Sequence, residues 1–389
     1  MSWRAVVLAA GKGTRMKSDL AKVLHRREEE TLLGHVLRTA ATLGLERTAV
    51  IVGHQREEVR AEHARFGVET FVQEPQLGTG HAVQQAAPFL EGHDGHTLIL
   101  YGDVPLLRRT TLLELMEEHL HAEDAATVLT ARMDDPTGYG RIVRSPEGSL
   151  EAIVEDRDLE TPQRAIDEIN SGIYAYRTPQ LLRALHGLKN DNRQKEYYLT
   201  DTIRDLRAAG EPVGTYRLHD VREISGINTP VQLAEAAAIL EARRRTGTFD
   251  CPVCEWSEPR EGLDYPVIHR GAHVVLAVSD APYNSGQLVV VPRRHRLRHS
   301  GLAEEERKEM WEVARIAAEL VETAYHPQGL NLGYTAGEPG RHLALQVVPR
   351  WVGDTNFMPV LTDTTLLPEA LEQTHRRLRR TLEERGKHG

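Results

Sequence analysis

The chain of 389 residues has little cysteine, few aromatics and no long apolar run. Its two cysteines, Cys251 and Cys254, cannot form a disulfide framework, and they sit together in one Cys-Pro-Val-Cys element. By its residues alone, that element is half a metal site or a redox pair. No stretch of about 18 apolar residues exists, which excludes a helical membrane span. Positive charge is also in deficit. Against 57 Asp and Glu stand 48 Lys and Arg, formally -9 at pH 7, which argues against a large nucleic-acid surface. The run from Trp3 to Leu8 is too short, and too soon interrupted by Gly11 and Lys12, to be a signal peptide, so a cytoplasmic location is expected. Internal repeats and low-complexity segments are absent. What is present, 40% hydrophobic and 27% charged residues, suits a globular protein with a sizeable core, and the length suits two or three domains.

The texture changes near residue 248. Before it, short apolar runs alternate with helical patterns. Ala5 to Leu8, Thr48 to Val52 and Thr97 to Tyr101 read as buried strands, and Leu32 to Leu43 and Arg56 to Ala64 as helices. Strand, helix, strand repetition predicts a doubly wound α/β domain with a mostly parallel sheet, its site beyond the carboxyl ends of the strands. A helix from Pro230 to Arg245, basic in its last turn and followed by Gly247, closes this domain at 1–247. Residues 248–389 read differently. Strands at Ala272 to Val278 and Gly286 to Val291 precede a helix from Glu304 to Ala324. A strand from Leu343 to Val348 and a basic helix from Pro368 follow, which predicts a separate α+β domain.

The first strand runs into Leu8-Ala9-Ala10-Gly11-Lys12-Gly13-Thr14-Arg15-Met16. Gly11 and Gly13 let backbone N–H groups approach a polyphosphate, and Lys12 and Arg15 bring compensating charge. A glycine-rich turn with solvated bases would have the same composition. The spacing is neither the dinucleotide fingerprint nor the P-loop. Together with Lys22-Val23-Leu24-His25, this loop resembles the sugar-nucleotide pyrophosphorylases, most closely the uridylyltransferase domain of the bacterial N-acetylglucosamine-1-phosphate uridylyltransferase family. Matches continue in family order. They are Gln73, Gln76-Leu77-Gly78-Thr79-Gly80-His81-Ala82, Tyr101-Gly102-Asp103-Val104-Pro105-Leu106, Thr137-Gly138-Tyr139-Gly140-Arg141-Ile142, Glu155, Asn170-Ser171-Gly172, Glu196-Tyr197-Tyr198-Leu199-Thr200-Asp201 and Gly226-Ile227-Asn228.

The resemblance implies that a sugar 1-phosphate attacks the α-phosphorus of UTP in line and pyrophosphate leaves. Such a step needs positioning and charge neutralisation more than a protein nucleophile. Arg15 and Lys22 would be catalytic and, with Lys12, would stabilise charge on the triphosphate. The loop residues Leu8, Ala9, Ala10, Gly11 and Gly13 would bind the nucleotide, as would Gln73, Gln76, Gly78, Thr79, Gly80, Tyr101 and Gly102. Gly138, Glu155 and Asn170 would contact the amino sugar. Asp103 and the side-chain oxygen of Asn228 would hold Mg2+, which prefers hard oxygen ligands. Three departures stand out. Ala21 occupies the family's proline position before the second lysine. Arg26-Arg27-Glu28-Glu29-Glu30-Thr31 replaces a Pro-x-x-Gly-x-Pro stretch, and its charges read as a solvated face. Lys195 replaces a glycine. They leave the reaction class intact and the identity of the sugar open. No hexapeptide repeat follows residue 247, so the family's β-helix acetyl transfer is not expected here.

In the second domain, Pro282-Tyr283-Asn284-Ser285-Gly286-Gln287-Leu288, Val291-Pro292-Arg293-Arg294-His295, Asn331-Leu332-Gly333 and His342 through Trp351 resemble the histidine-triad superfamily. The tail Gly353 to Pro359 is similar to that of its dinucleoside-polyphosphate hydrolases and phosphorylases. Alternation on a strand puts residues 342, 344 and 346 on one face. The resemblance implies a histidine nucleophile at the middle position, where this chain has Ala344, and a methyl group cannot attack phosphorus. Natural loss and deliberate substitution are both open. Gln346 fits the galactose-1-phosphate uridylyltransferase branch, and Asn284 and Asn331 would be nucleotide contacts. That branch holds zinc at positions that here are Cys251, Cys254, His295 and His342, four N/S ligands that would close a tetrahedral structural site. Histidine-triad domains often pair through their sheet, so a homodimer is a further expectation. Synthesis of a UDP-sugar is the leading function. The alternatives are cleavage or transfer on a dinucleoside polyphosphate or nucleotidyl sugar by the parent of the second domain, and a non-catalytic nucleotide-binding module.

Overall fold

Trp3–Ala9 forms the first strand, and all but one of its residues are buried because both of its faces are covered. Trp3, Ala5, Val7 and Ala9 enter one apolar core, which also takes Leu33, Val36 and Leu37 of the helix Leu32–Ala41. Val6 and Leu8 enter a second core on the opposite face, with Ala82, Val83, Leu181 and Ile203. Two-sided burial is why such strands read as unbroken apolar runs rather than as alternation. The structure is a computed structural model and describes residues 2–13, 16, 18–27, 30–218, 220–245, 251–256, 266–280, 282–336, 342–353 and 369–386. The chain divides into two units, Met1–Gly247 and Thr248–Gly389.

In the first unit the strands are β1 (Trp3–Ala9), β2 (Arg26–Arg27), β3 (Glu30–Thr31), β4 (Arg47–Val52), β5 (Glu69–Val72), β6 (His96–Tyr101), β7 (Ala126–Arg132), β8 (Arg141–Arg144), β9 (Leu150–Val154), β10 (Glu168–Arg177) and β11 (Val213–Arg217). The main sheet runs β11-β7-β10-β6-β1-β4-β5, with the β8–β9 hairpin joined to β10. All neighbours on this path are parallel except β10, which is antiparallel to both β6 and β7. The doubly wound, mostly parallel α/β sheet is therefore present. Register pairs Leu8 with Tyr101 and Ala9 with Val52, so the segments leaving β1, β4 and β6 emerge side by side at one edge. The helix Pro230–Arg245 closes the unit through Leu233, Ala236, Ile239 and Leu240, which pack on Leu32, Leu106 and Ile227.

One expectation is corrected. Arg26 to Thr31 is not merely a solvated face, because Glu30 and Thr31 are buried. The Glu30 carboxylate accepts from Arg38 at 2.6 Å and Arg65 at 2.5 Å. The Thr31 hydroxyl accepts from the Gly34 amide at 2.9 Å and caps the following helix. Glu28 and Glu29 lie outside the described residues.

The second unit holds β12 (Val267–Arg270), β13 (Val274–Val278), β14 (Leu288–Pro292), β15 (Gly329–Thr335) and β16 (Ala344–Arg350), antiparallel in the order β12-β13-β14-β16-β15. The helices Glu304–Tyr325 and Leu371–Gly386 cover one face through residues such as Met310, Val313, Leu320 and Leu378. The strand β15 escapes a reading by periodicity because it is an edge strand, exposed over much of its length. Among the described residues, no helix is long and apolar enough to cross a membrane.

Beside β1 lies a polar cluster whose two histidines the fold keeps uncharged. Trp3 stacks on His96 with ring centroids 4.8 Å apart, and His96 Nδ1 lies 3.0 Å from His119 Nε2. His119 Nδ1 meets Thr127 Oγ1 at 2.9 Å, and that hydroxyl donates to Asp124 at 2.8 Å. Burial first, then Arg177 for His96 and neighbouring His96 with Arg177 for His119, holds His96 down to about 4 and His119 down to about 3. An unfolded histidine titrates near 6.5. Below that pH the unfolded chain takes up protons that the folded chain refuses, so this contribution is whole above about 6.5 and is lost as pH falls toward 4. Thermal melts of His119→Gln, which cannot titrate there, should show a shallower fall in Tm between pH 7 and 4.5 than the wild type shows. An unchanged slope would contradict this account.

Candidate functional site

At the edge where β1 and β6 end, a cavity of about 450 Å³ opens. The backbone from Leu8 through Ala9, Ala10, Gly11 and Gly13 forms one wall. Gln73, Gln76, Gly78 and Thr79, which follow β5, form a second. Tyr101 and Asp103 enter from β6, and Lys22 and Asn228 complete the lining. Lys22, at the start of the short turn Lys22–Leu24, is buried. Its Nζ donates to Asp103 Oδ2 and, at 2.7 Å, to Asn228 Oδ1. Two hard oxygen donors distant in sequence thus converge on one point, the arrangement a divalent cation requires. Gly13 permits this approach. It has a φ of +69°, and a Cβ added there would lie 2.5 Å from the Lys22 Cβ.

The wall from Gln73 to Gly80 is tied to its surroundings through backbone carbonyls. Gln76 Nε2 donates to the Ala10 carbonyl, and Gln73 Nε2 to the Gly78 carbonyl at 2.8 Å. The Gly80 amide donates to the Tyr197 carbonyl at 2.7 Å, and the Tyr197 amide to Leu77 at 2.8 Å. Gly80 and Gly102 stand behind the lining. A Cβ on Gly80 would come within 2.6 Å of Leu188, and one on Gly102 within 3.1 Å of Leu33. Lys12 instead lines an adjoining cavity with Gly53, His54 and Gln55, and Arg15 lies outside the described residues. Glu196 lines the main cavity although no charge pattern singled it out. Its neighbour Lys195 takes a φ of +57°, which explains why a glycine would serve there.

The three expected sugar contacts do not line this cavity. Glu155 is half-buried, accepts from Thr200 Oγ1 at 3.0 Å, and has its carboxyl pKa raised by loss of hydration. Its charge reaches Tyr101, whose hydroxyl is pushed upward first by burial and then by Glu155 and Asp103. Asn170 is held by two bonds, donating to Tyr174 Oη at 2.7 Å and accepting from the Gly172 amide at 3.0 Å. Gly138 sits at a φ of +85° with open space beside it.

In the second unit, Cys251, Cys254, His295 and His342 are all buried, and their ligand atoms lie within 4.8 Å of one another. Cys254 Sγ is 3.4 Å from His295 Nδ1 and 3.7 Å from His342 Nδ1, and Cys251 Sγ is 3.6 Å from His342 Nδ1. A tetrahedron with arms of about 2.0–2.3 Å has edges of roughly 3.3–3.8 Å, so the spacing suits a four-coordinate metal. His342 Nε2 meets the Pro292 carbonyl at 2.8 Å, which leaves Nδ1 as the ligand atom. On β16 the alternation is as expected. Leu343, Leu345 and Val347 enter the helix-covered core, while Ala344 packs with Val275, Val289 and Val291 on the other face. Gln346 accepts from Gln287 Nε2 at 2.9 Å, and Asn284 Nδ2 donates to the Pro349 carbonyl at 2.9 Å. Asn331 is exposed on β15, opposite Val348. The tail from Asp354 to Pro359 lies outside the described residues.

Residues 5–195 match the MobA-like NTP transferase domain. The first unit contains a nucleotidyltransferase domain. It is similar to the bifunctional protein GlmU of Brevibacillus brevis, 51% identical over 243 residues, 62% of this chain and 52% of that protein. The bifunctional protein GlmU of Corynebacterium glutamicum is 44% identical over 282 residues, 69% of this chain and 58% of that protein. The chain thus spans little more than half the length of these relatives. The crystal structure of a UDP-glucose pyrophosphorylase complexed with UDP-glucose matches at a TM-score of 0.50 and 16% identity, covering 63% of this chain and 100% of that one, a likeness of fold alone.

The nucleotidyltransferase domain makes Gly13 a sharp test of its geometry. Gly13→Ala adds a Cβ in a left-handed conformation and against the Lys22 side chain. A loss of about 1–3 kcal/mol in chemical denaturation is expected. A variant as stable as the wild type would show that Lys22 does not press on this loop.

Proposed function

We propose that the chain makes a UDP-sugar and pyrophosphate from UTP and a sugar 1-phosphate, N-acetylglucosamine 1-phosphate foremost. The observation that carries this reading is the convergence of Lys22, Asp103 and Asn228 at the mouth of a backbone-walled cavity in a nucleotidyltransferase domain. An oxygen of the sugar phosphate bonds to the α-phosphorus of UTP, and the α–β bridging bond breaks to release pyrophosphate. Lys22 neutralises charge that builds on the phosphates, and Lys12 and Arg15 do so further along the triphosphate. Asp103 and Asn228 would hold Mg2+, whose charge serves the same purpose. The loop Leu8–Gly13 and the residues Gln73, Gln76 and Gly78 bind base and ribose. The resemblance assigns the sugar to Gly138, Glu155 and Asn170, which lie outside the lined cavity, so Glu196 on its wall is the residue placed to bias which sugar fits.

We assign the second unit to the histidine-triad type, with Zn2+ held by Cys251, Cys254, His295 and His342. All four positions belong to protein ligands, so the ion would be structural rather than catalytic. Ala344 supports a unit without covalent nucleotidyl transfer, since a methyl group cannot attack phosphorus. Nucleotide binding at Asn284, Asn331 and Gln346 is the role that remains.

Two measurements test these assignments. Pyrophosphate release from UTP with Mg2+, across a panel of sugar 1-phosphates, should show turnover with N-acetylglucosamine 1-phosphate. Lys22→Ala and Asp103→Asn should each lower kcat by about a hundredfold or more. Silence across the panel, from protein that binds UTP, would overturn the reading in favour of a binding module. For the second unit, elemental analysis should find one zinc per chain. Cys254→Ser should lose that zinc and melt at lower temperature. Wild-type protein purified without zinc, and unable to take it up, would remove the metal assignment.

A further inference from the structure

Lys22 reaches Asp103 and Asn228 only if the backbone before it is held still, and the residue that does so comes from an unrelated part of the chain. Gln55 stands between β4 and the helix Arg56–His63, in a left-handed conformation with φ 49° and ψ 44°. A side chain normally avoids that region unless its surroundings impose it. Its carbonyl accepts from the Val59 amide at 3.0 Å, so its backbone is seated on the first turn of the helix. Its side-chain Oε1 accepts from the Ala21 amide at 2.5 Å. Ala21 is fully buried, so no solvent can replace that acceptor. Ala21 directly precedes the Lys22–Leu24 turn, whose own closure runs from the Leu24 amide to the Ala21 carbonyl at 2.9 Å.

The same turn touches the other wall of the cavity. A Cβ on Gly53 would lie 2.7 Å from the Ala10 carbonyl, and the His54 amide points to that carbonyl at 3.5 Å. The stretch Gly53–Gln55 therefore braces the phosphate loop on one side and the Lys22 turn on the other.

We propose that Gln55 is a positioning residue for Lys22, its carboxamide clamping the Ala21 amide so that the ammonium is aimed at Asp103 and Asn228. The proposal deepens the reading of the first unit as a uridylyltransferase and rests on it for its kinetic consequence. A second device could do the same work. Ala21 has a φ of -54°, inside the range that a proline ring imposes. Proline at 21 would fix the same backbone with no N–H to satisfy, but its ring would collide with the Gln55 carboxamide now bonded there. A clamp and a proline are alternatives that exclude each other. This chain has alanine where the resembled family has proline.

The exclusion gives a test on the full chain with Gln55→Gly, Ala21→Pro and the double variant. Glycine relieves the left-handed backbone but leaves the buried Ala21 amide unpaired, two opposed effects of similar size, so Gln55→Gly should melt close to the wild type. Its kcat should nonetheless fall roughly 5- to 50-fold, with KM for UTP changed less than about threefold, because a misplaced Lys22 is felt most in the transition state. Ala21→Pro alone should also lose activity. The double variant should recover to within about threefold of wild type, a rescue that a merely structural role would not produce. A Gln55→Gly enzyme with kcat within twofold of wild type, or a double variant no better than Gln55→Gly, overturns the proposal. Hydrogen exchange over the peptide from 20 to 24 gives a readout independent of turnover, and Gln55→Gly should accelerate it about tenfold. If the wild type makes no UDP-sugar, the activity reading fails by itself. The exchange then decides the clamp, and unchanged exchange overturns it.

Discussion

A buried ammonium is the constraint on which the first unit turns. Lys22 lies almost out of water, and a cation there is tolerated only where oxygen atoms replace its lost hydration. Asp103 and Asn228 supply them. Those partners are 81 and 206 residues away in sequence, so the contact cannot form until the sheet has been assembled. Asp103 arrives because β6 pairs with β1 in parallel, and its backbone carbonyl accepts from the Ile227 amide at 3.0 Å, which brings Asn228 alongside. Sheet register, the loop after β1 and the closing segment before the helix Pro230–Arg245 are thereby fixed together. A group that must be paired to be buried makes its site an all-or-none property of the fold.

How much of this was legible depended on the range of the interaction that carries it. Strands buried on both faces announce themselves as apolar runs, so β1, β4 and β6 could be read from Ala5 to Leu8, Thr48 to Val52 and Thr97 to Tyr101. The loop after β1 could be read because glycine next to lysine is locally unusual. Edge strand β15 could not, since half-solvated residues such as Asn331, Leu332 and Gly333 carry no burial pattern. Glu30 misled in a different way. A glutamate within a charged run looks solvated, yet Arg38 and Arg65, eight and 35 positions on, surround it and hold its carboxyl below the usual range even though burial alone would raise it. Gln55 was illegible for the same reason, because nothing about a glutamine after a histidine says that its amide will meet residue 21.

The two units solve the problem of a polar interior by opposite means. In the first, one cation sits between a neutral and an anionic oxygen at the wall of an open cavity. In the second, two thiols and two imidazoles crowd within hydrogen-bonding distance in a buried pocket. Neighbouring Cys254, and then His295 and His342, favour thiolate at Cys251 and hold its thiol far below the ordinary range. A thiolate so enclosed is the form that binds a metal, and the Pro292 carbonyl already fixes the His342 ring for it.

That contrast bears on Ala344. A histidine at this position would stand two residues from His342, which directly precedes Leu343 and β16 and lies against Cys251 and Cys254. Replacing it by alanine leaves no unpaired polar group, because a methyl among Val275, Val289 and Val291 is satisfied by packing alone. Alanine is therefore accommodated at 344 without disturbing the sheet. Lys22 allows no such neutral deletion, since its loss would leave the Asp103 carboxylate facing Asn228 without the cation that joins them. The cavity of the first unit thus depends on a paired buried cation, whereas alanine at 344 asks nothing of the second unit but packing.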